Sequence, residues 1–127
     1  MTIKKYVGAF DGGSTPNPGS MSIGGFIKLN DKDVFRFSRV IGYGTNNIAE
    51  YSALLTLVKE AGRLGIQDLY IQGDSAIIIN QVNGLWKAKD PRMKQYKLRV
   101  LAALRHIKKW ELKHVLRRYN KEADSLT

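Results

Sequence analysis

Cysteine is missing from all 127 residues of this chain. That absence excludes disulfides, a thiol nucleophile and cysteine-held metal, and it fits a reducing compartment. Long apolar runs are missing too, and none nears the roughly 20 residues a membrane-crossing helix needs. The N-terminus, Met1 to Val7, leads straight into an expected strand without a signal-like apolar region. A soluble, cytoplasmic, monomeric protein with no membrane partner is expected. Repeats, low-complexity segments and linkers are absent, so residues 1–127 read as a single domain with a core that needs no staples.

Acidic residues are scarce in one region only. Residues 87–121 hold 13 Lys or Arg against two acids, whereas residues 1–86 are nearly balanced; the net charge is +10. Concentrated positive charge is the footprint of a polyanion binder. The alternative is a solvated helix face.

The most informative stretch is 6–19, Tyr-Val-Gly-Ala-Phe-Asp-Gly-Gly-Ser-Thr-Pro-Asn-Pro-Gly. Tyr6 to Phe10 reads as a buried strand that ends on Asp11, followed by dense turn chemistry. A carboxylate at the end of an apolar strand is costly unless something compensates it, and glycines beside it admit close backbone approach. Taken alone, the stretch reads equally as a plain hairpin whose Asp bonds its own turn amides.

Two more strands, Ser22 to Leu29 and Val34 to Ile41, complete an antiparallel meander. A helix from about Asn47 to Arg63 follows, with Leu54, Leu57, Val58 and Ala61 as its apolar stripe. Glu50 falls on that stripe, within roughly 40° of it at about 100° per residue. The helix macrodipole would explain an acid near the N-terminus but not this face. A fourth strand ends, like the first, on an acid, Asp74, with Ser75 a candidate cap for a helix over 76–82. A right-handed crossover makes strands one and four parallel, so Asp11 and Asp74 meet at the edge where open α/β sheets bind ligands. A loop around Trp86, a helix over 93–109, a strand over 111–116 and a terminal helix capped by Asn120 complete the chain. The fold class is α/β, with a five-stranded mixed sheet: strands one to three antiparallel, four and five parallel to one, flanked by helices.

Four acids are singled out by position: Asp11, Glu50, Asp74 and Asp124. Carboxylates gathered together either take up protons or hold cations. Oxygen-only donors favour hard metals, Mg²⁺ or Mn²⁺. Two such ions about 3.5–4 Å apart stabilise the attacking and leaving oxygens of a phosphoryl displacement. Joined to the basic region, the chemistry suggested is hydrolysis of a nucleic-acid phosphodiester.

Four segments, taken in order, resemble the motifs of type 1 ribonuclease H: Asp-Gly-Gly-Ser-Thr-Pro-Asn-Pro-Gly (11–19), Thr-Asn-Asn-Ile-Ala-Glu-Tyr (45–51), Gly-Asp-Ser (73–75) and Arg-Arg-Tyr-Asn-Lys-Glu-Ala-Asp-Ser-Leu (117–126). The resemblance implies an endonuclease that cuts the RNA strand of RNA–DNA hybrids with two Mg²⁺ ions, leaving 5′-phosphate and 3′-hydroxyl ends. Mn²⁺ is an expected substitute, and double-stranded RNA is a further candidate substrate. The resemblance makes Asp11, Glu50, Asp74 and Asp124 the metal ligands, with Glu50 also touching a 2′-hydroxyl. Backbone near Gly12 and Ser14 would read further 2′-hydroxyls, which distinguish RNA from DNA. Asn17, Asn46 and Asn47 would contact the minor groove, Thr45 a DNA phosphate, and Trp86 a deoxyribose. Trp86 is alternatively a half-buried core aromatic.

The chain departs from the family pattern in several places. The family's usual histidine before the last Asp is lacking, and Arg118 is the candidate for its place; His106 and His114 read as structural. Tyr43 stands where an arginine often completes the DNA-phosphate pocket. The basic protrusion after the Trp is lacking, with nearby lysines as substitutes. Only three residues follow Asp124, and a helix that short is marginal alone. Asp124 is therefore expected to be the weakest ligand, poorly ordered without metal, unless Leu126 docks on the core. Transposases and resolvases share such acidic clusters without the Thr-Asn-Asn-x-x-Glu segment. A non-catalytic hybrid-binding module would lack one of the acids, and none is lacking.

Overall fold

The computed structural model describes residues 5–127, and the lead-in read at residues 1–4 lies outside the described residues. Strands β1 (Tyr6–Thr15), β2 (Gly19–Leu29) and β3 (Lys32–Gly44) form the meander. Helix α1 (Asn46–Arg63), strand β4 (Asp68–Gly73), helices α2 (Ala76–Val82) and α3 (Pro91–Leu104), and strand β5 (Lys109–His114) follow. A 3-10 turn (Arg117–Tyr119) and a single helical turn, α4 (Lys121–Asp124), complete it. The sheet order is β3-β2-β1-β4-β5, with β4 and β5 parallel to β1.

β1 does not end at Asp11 as expected. It continues to Thr15 because β2 pairs with all ten of its residues, down to Thr15 opposite Ser20. On its other side β4 pairs only with Tyr6 to Ala9. Asp11 therefore stands where one neighbour strand has stopped and the other has not, and Asp74 follows directly after the end of β4. The β2–β3 hairpin turns on Asn30 and Asp31, both at positive φ (50° and 70°), the left-handed pair a tight two-residue turn requires.

α1 begins where Thr45 Oγ1 accepts from the Ile48 amide at 3.2 Å. Its stripe of Leu54, Leu57, Val58 and Ala61 is wholly buried. α3 and β5 lie about two residues or more ahead of their expected positions. Asp90 caps α3 by accepting from the Arg92 and Met93 amides, with Pro91 at the first turn, where its missing N–H costs nothing. The helix then closes in tight turns through Ile107. The Lys109 amide donates to Gln67 O at 2.9 Å, setting β5 beside the start of β4. Ser75 and Asn120 stand at helix starts, but neither side chain makes the expected cap.

Candidate active site

A cavity of about 530 Å³ opens at the sheet edge beyond β4, lined by Asp11, Glu50, Asp74, Asp124, Ser14 and Arg117 among others. Asp11, Glu50 and Asp74 each present a carboxylate oxygen within 4.8 Å of the other two. The fold supplies three directions: β1 from the centre of the sheet, β4 beside it, and the first turns of α1 above. Gly12 lets them converge. A Cβ there would stand 2.4 Å from the Ala49 carbonyl, so only glycine lets β1 approach α1 this closely. At that contact the Gly12 amide donates to Glu50 Oε1 at 2.6 Å.

Gathering these acids disfavours their charged forms. Burial, then proximity to Asp124 and Asp74, raises the Asp11 pKa well above the ordinary carboxylate range. Burial, followed by the charges of Asp11 and Asp74, raises that of Glu50 further. Asp74 Oδ2 is buried with no hydrogen-bond partner among the described residues. Three carboxylates this close, one of them with an unpartnered buried oxygen, suit a hard cation, and the residues fit Mg²⁺ or Mn²⁺.

Asp124 lies on the rim of the same cavity, outside the tight group of three, with Arg117 Nη2 3.5 Å from its Oδ1. The expectation that it frays is corrected by its packing. Leu126 sits on Gly24, where even a Cβ would clash at 2.5 Å, and joins a small cluster with Ala9, Phe26 and Ala123. Its carbonyl accepts from Ser38 Oγ. Glu122 bridges Lys28 and Arg36, each at 2.8 Å. Asn120 is buried and donates from Nδ2 to the Phe10 carbonyl at 3.0 Å, one residue before Asp11. That bond ties the Asn120 side chain to β1, while its Oδ1 is buried without a partner among the described residues.

Arg118 does not reach the cavity; its guanidinium lies over the exposed Tyr119 ring at 5.1 Å. Arg117 reaches it instead. A 3-10 turn rotates successive side chains by about 120°, so one neighbour faces the acids while the next faces solvent. The sequence reading named Arg118, whereas the residue lining the cavity is Arg117.

The expected substrate contacts fall into two groups. Ser14, Asn17 and Asn46 are bound together: the Ser14 amide donates to Asn46 Oδ1 at 2.7 Å, and the Asn46 amide to Asn17 Oδ1 at 3.1 Å. This ties the β1–β2 turn to the start of α1. Asn17, Thr45, Asn46 and Asn47 also line a second cavity of about 290 Å³, to which α3 adds Arg92. Sequence alone did not point to Arg92, because nothing local brings 92 to 45. Trp86 is half exposed beyond α2 and lines neither cavity, and Tyr43 is exposed on β3. His106 and His114 are exposed and line neither.

Residues 9–127 match the family described as reverse transcriptase-like. The chain belongs to the reverse transcriptase-like family. Within that family its similarity is to type 1 ribonucleases H. Ribonuclease HI of Halobacterium salinarum is 34% identical over 118 residues, covering 92% of this chain and 59% of that protein. A bifunctional protein of Mycobacterium tuberculosis is 31% identical over 96% of this chain, which spans only 34% of its length. The crystal structure of the Halobacterium salinarum ribonuclease H1 superposes with a TM-score of 0.91 at 33% identity, covering 96% of this chain and 93% of that one. LC11 ribonuclease H1, solved with an RNA/DNA hybrid, superposes with a TM-score of 0.89 at 28% identity, covering 96% and 93%. The family fold is thus the five-stranded mixed sheet described above.

Proposed function

We propose that this chain is a ribonuclease H: an endonuclease that hydrolyses the RNA strand of RNA–DNA hybrids by a two-metal-ion route, leaving 5′-phosphate and 3′-hydroxyl ends. The observation that carries the reading is the group Asp11, Glu50 and Asp74, with oxygens within 4.8 Å and one of them unpartnered, in a family that includes hybrid-bound ribonuclease H1. Asp11, Glu50, Asp74 and Asp124 are the proposed ligands, and Mg²⁺ is the proposed ion with Mn²⁺ as substitute. When bound, such ions stabilise the attacking and leaving oxygens of an in-line displacement at phosphorus.

The chain's own residues do the rest. Asp11 and Glu50 release their protons as the site loads, because only the charged carboxylates are ligands. Gly12 fixes Glu50 through its amide. Ser14, Asn17 and Asn46 hold the turn beside the cavity in one shape, so that the Gly12–Ser14 backbone meets the 2′-hydroxyls of the strand to be cut. Thr45, Asn47 and Arg92 line the second cavity, on the side where the uncut DNA strand would run, and Trp86 meets its sugars beyond. Arg117 takes the place expected for Arg118 and orients the scissile phosphate against Asp124. Arg118 keeps an outer contact with the RNA strand. The basic face from Lys87 onward, with no protrusion, draws the duplex in. Double-stranded RNA is the proposed secondary substrate.

The test is cleavage of strand-labelled hybrid, double-stranded RNA and single-stranded RNA, each with Mg²⁺, Mn²⁺ or EDTA. The expected result is cutting of the RNA strand of the hybrid with either metal and none with EDTA. Cleavage indifferent to EDTA, or of the DNA strand, would overturn the reading.

A further inference from the structure

The two faces of the sheet are covered differently. α1 packs on one, where Gly8 meets Leu57. The next residue, Ala9, points to the other, into the cluster with Ala123 and Leu126. Register carries that second face outward from β1, because Ala9 pairs with Gln72 and Gln72 with Lys113. Gln72 Nε2 donates to the Tyr119 carbonyl at 3.2 Å, so the turn after β5 is fastened over this face. The Tyr119 amide donates to the Leu116 carbonyl at 2.8 Å, and the following residue, Asn120, is buried and bonded to β1.

From this fixed backbone the Tyr119 ring stands 64% exposed, with the Arg118 guanidinium over it. A ring so exposed adds little to the core. Arg118 and Lys113 are exposed too, and neither makes an ion pair among the described residues. Two residues before Tyr119, Arg117 lines the catalytic cavity. Cations and one aromatic thus lead from the cavity onto the face that carries α4. The track stops at an acid, Glu111, two residues before Lys113 on β5.

A duplex does not use such a track. Its bases are stacked on one another and offer no open face to a ring along its length. The second cavity, moreover, lies on the other side, where α1 begins. A protein partner could cover the ring, but that would leave the run of cations from Arg117 onward unexplained. An unpaired strand satisfies every group: its bases stack on aromatic rings and guanidinium planes while cations meet its phosphates.

We propose that Arg118, Tyr119 and Lys113 bind unpaired RNA, the continuation of the cut strand beyond the end of the hybrid, with a base on the Tyr119 ring. The proposal rests on the ribonuclease H reading, which sets the RNA strand at Arg117. It makes junctions between hybrid and single-stranded RNA the preferred substrates.

The experiment measures fluorescence anisotropy of the full chain, in EDTA, with a blunt hybrid and with tailed ones. The tails are about six unpaired ribonucleotides on either end of the RNA strand, or as many deoxynucleotides on the DNA strand. A tail on one end of the RNA strand should tighten binding by about fivefold or more, and the DNA-strand tails should not. Tyr119→Ala should lose most of that gain and Lys113→Ala part of it, while Tyr119→Phe keeps it. Both Tyr119 variants should match the wild type in melting temperature and in affinity for the blunt hybrid. Equal affinity for tailed and blunt hybrids, a gain that survives Tyr119→Ala, or an equal gain from DNA-strand tails would overturn the proposal. Cleavage of the blunt hybrid by the wild type with Mg²⁺ tests the catalytic reading separately.

Discussion

At the scale of the residue, the site depends on one missing atom and several costly charges. Gly12→Ala would place a methyl 2.4 Å from the Ala49 carbonyl, so β1 and α1 must part. The expected cost is about 2 kcal/mol or more of stability, with a larger loss of activity as the Gly12–Glu50 bond breaks; paired melts and rates check it. The carboxylates give a pH signature. Asp11 is pushed up to about 7 and Glu50 to about 9, so the folded metal-free protein keeps protons that the unfolded chain releases near pH 4. Stability must then fall as pH rises from about 4 through those values. Metal-free melts at about pH 5 and pH 8 should show the drop, and Asp11→Asn should shrink it. A flat profile in the wild type would mean the acids do not burden one another.

At the scale of the element, the terminal turn departs most from what sequence alone suggested. Seven residues after Asn120 look too few to hold a ligand, and local helix energetics support that view. The turn is held by contacts distant in sequence: Leu126 on Gly24, Glu122 on Lys28 and Arg36, Asn120 on the Phe10 carbonyl. Leu126→Ala is expected to cost about 1–2 kcal/mol and to raise the Mg²⁺ needed for half-maximal rate, whereas Lys59→Ala should do neither. An unchanged Mg²⁺ requirement in Leu126→Ala would mean that Asp124 needs no clamp.

The rest of the site was legible because it is local. An acid closing an apolar run at 11, another at 74 and a third on the buried stripe of α1 are one-dimensional patterns. What sequence hid depends on approach between remote segments or on turn geometry. Arg117 rather than Arg118 follows from a 3-10 rotation, Arg92 beside Thr45 from helix packing, and the early start of β5 from its register on β4.

At the scale of the whole molecule, charge is divided by place. The carboxylates occupy one sheet edge, while the basic excess of residues 87–121 spreads over α3, β5 and the turn that follows. Hybrid affinity should therefore fall steeply with salt. Replacing Lys87 and Lys89 with alanine should lower the log–log slope by roughly 0.9 for each phosphate no longer neutralised, with preference for hybrid retained. Affinity that stays flat with salt would make the basic face a solvated surface only. The division also sets the most direct test of the catalytic account, which is the Mg²⁺-dependent cleavage rate of RNA-labelled hybrid by Asp74→Asn beside the wild type, with metal-free melts of both. The account predicts a variant that melts no lower than the wild type, since a carboxylate with an unpartnered buried oxygen beside two other acids has been removed, yet hardly cuts. A folded Asp74→Asn with an undiminished rate would contradict it.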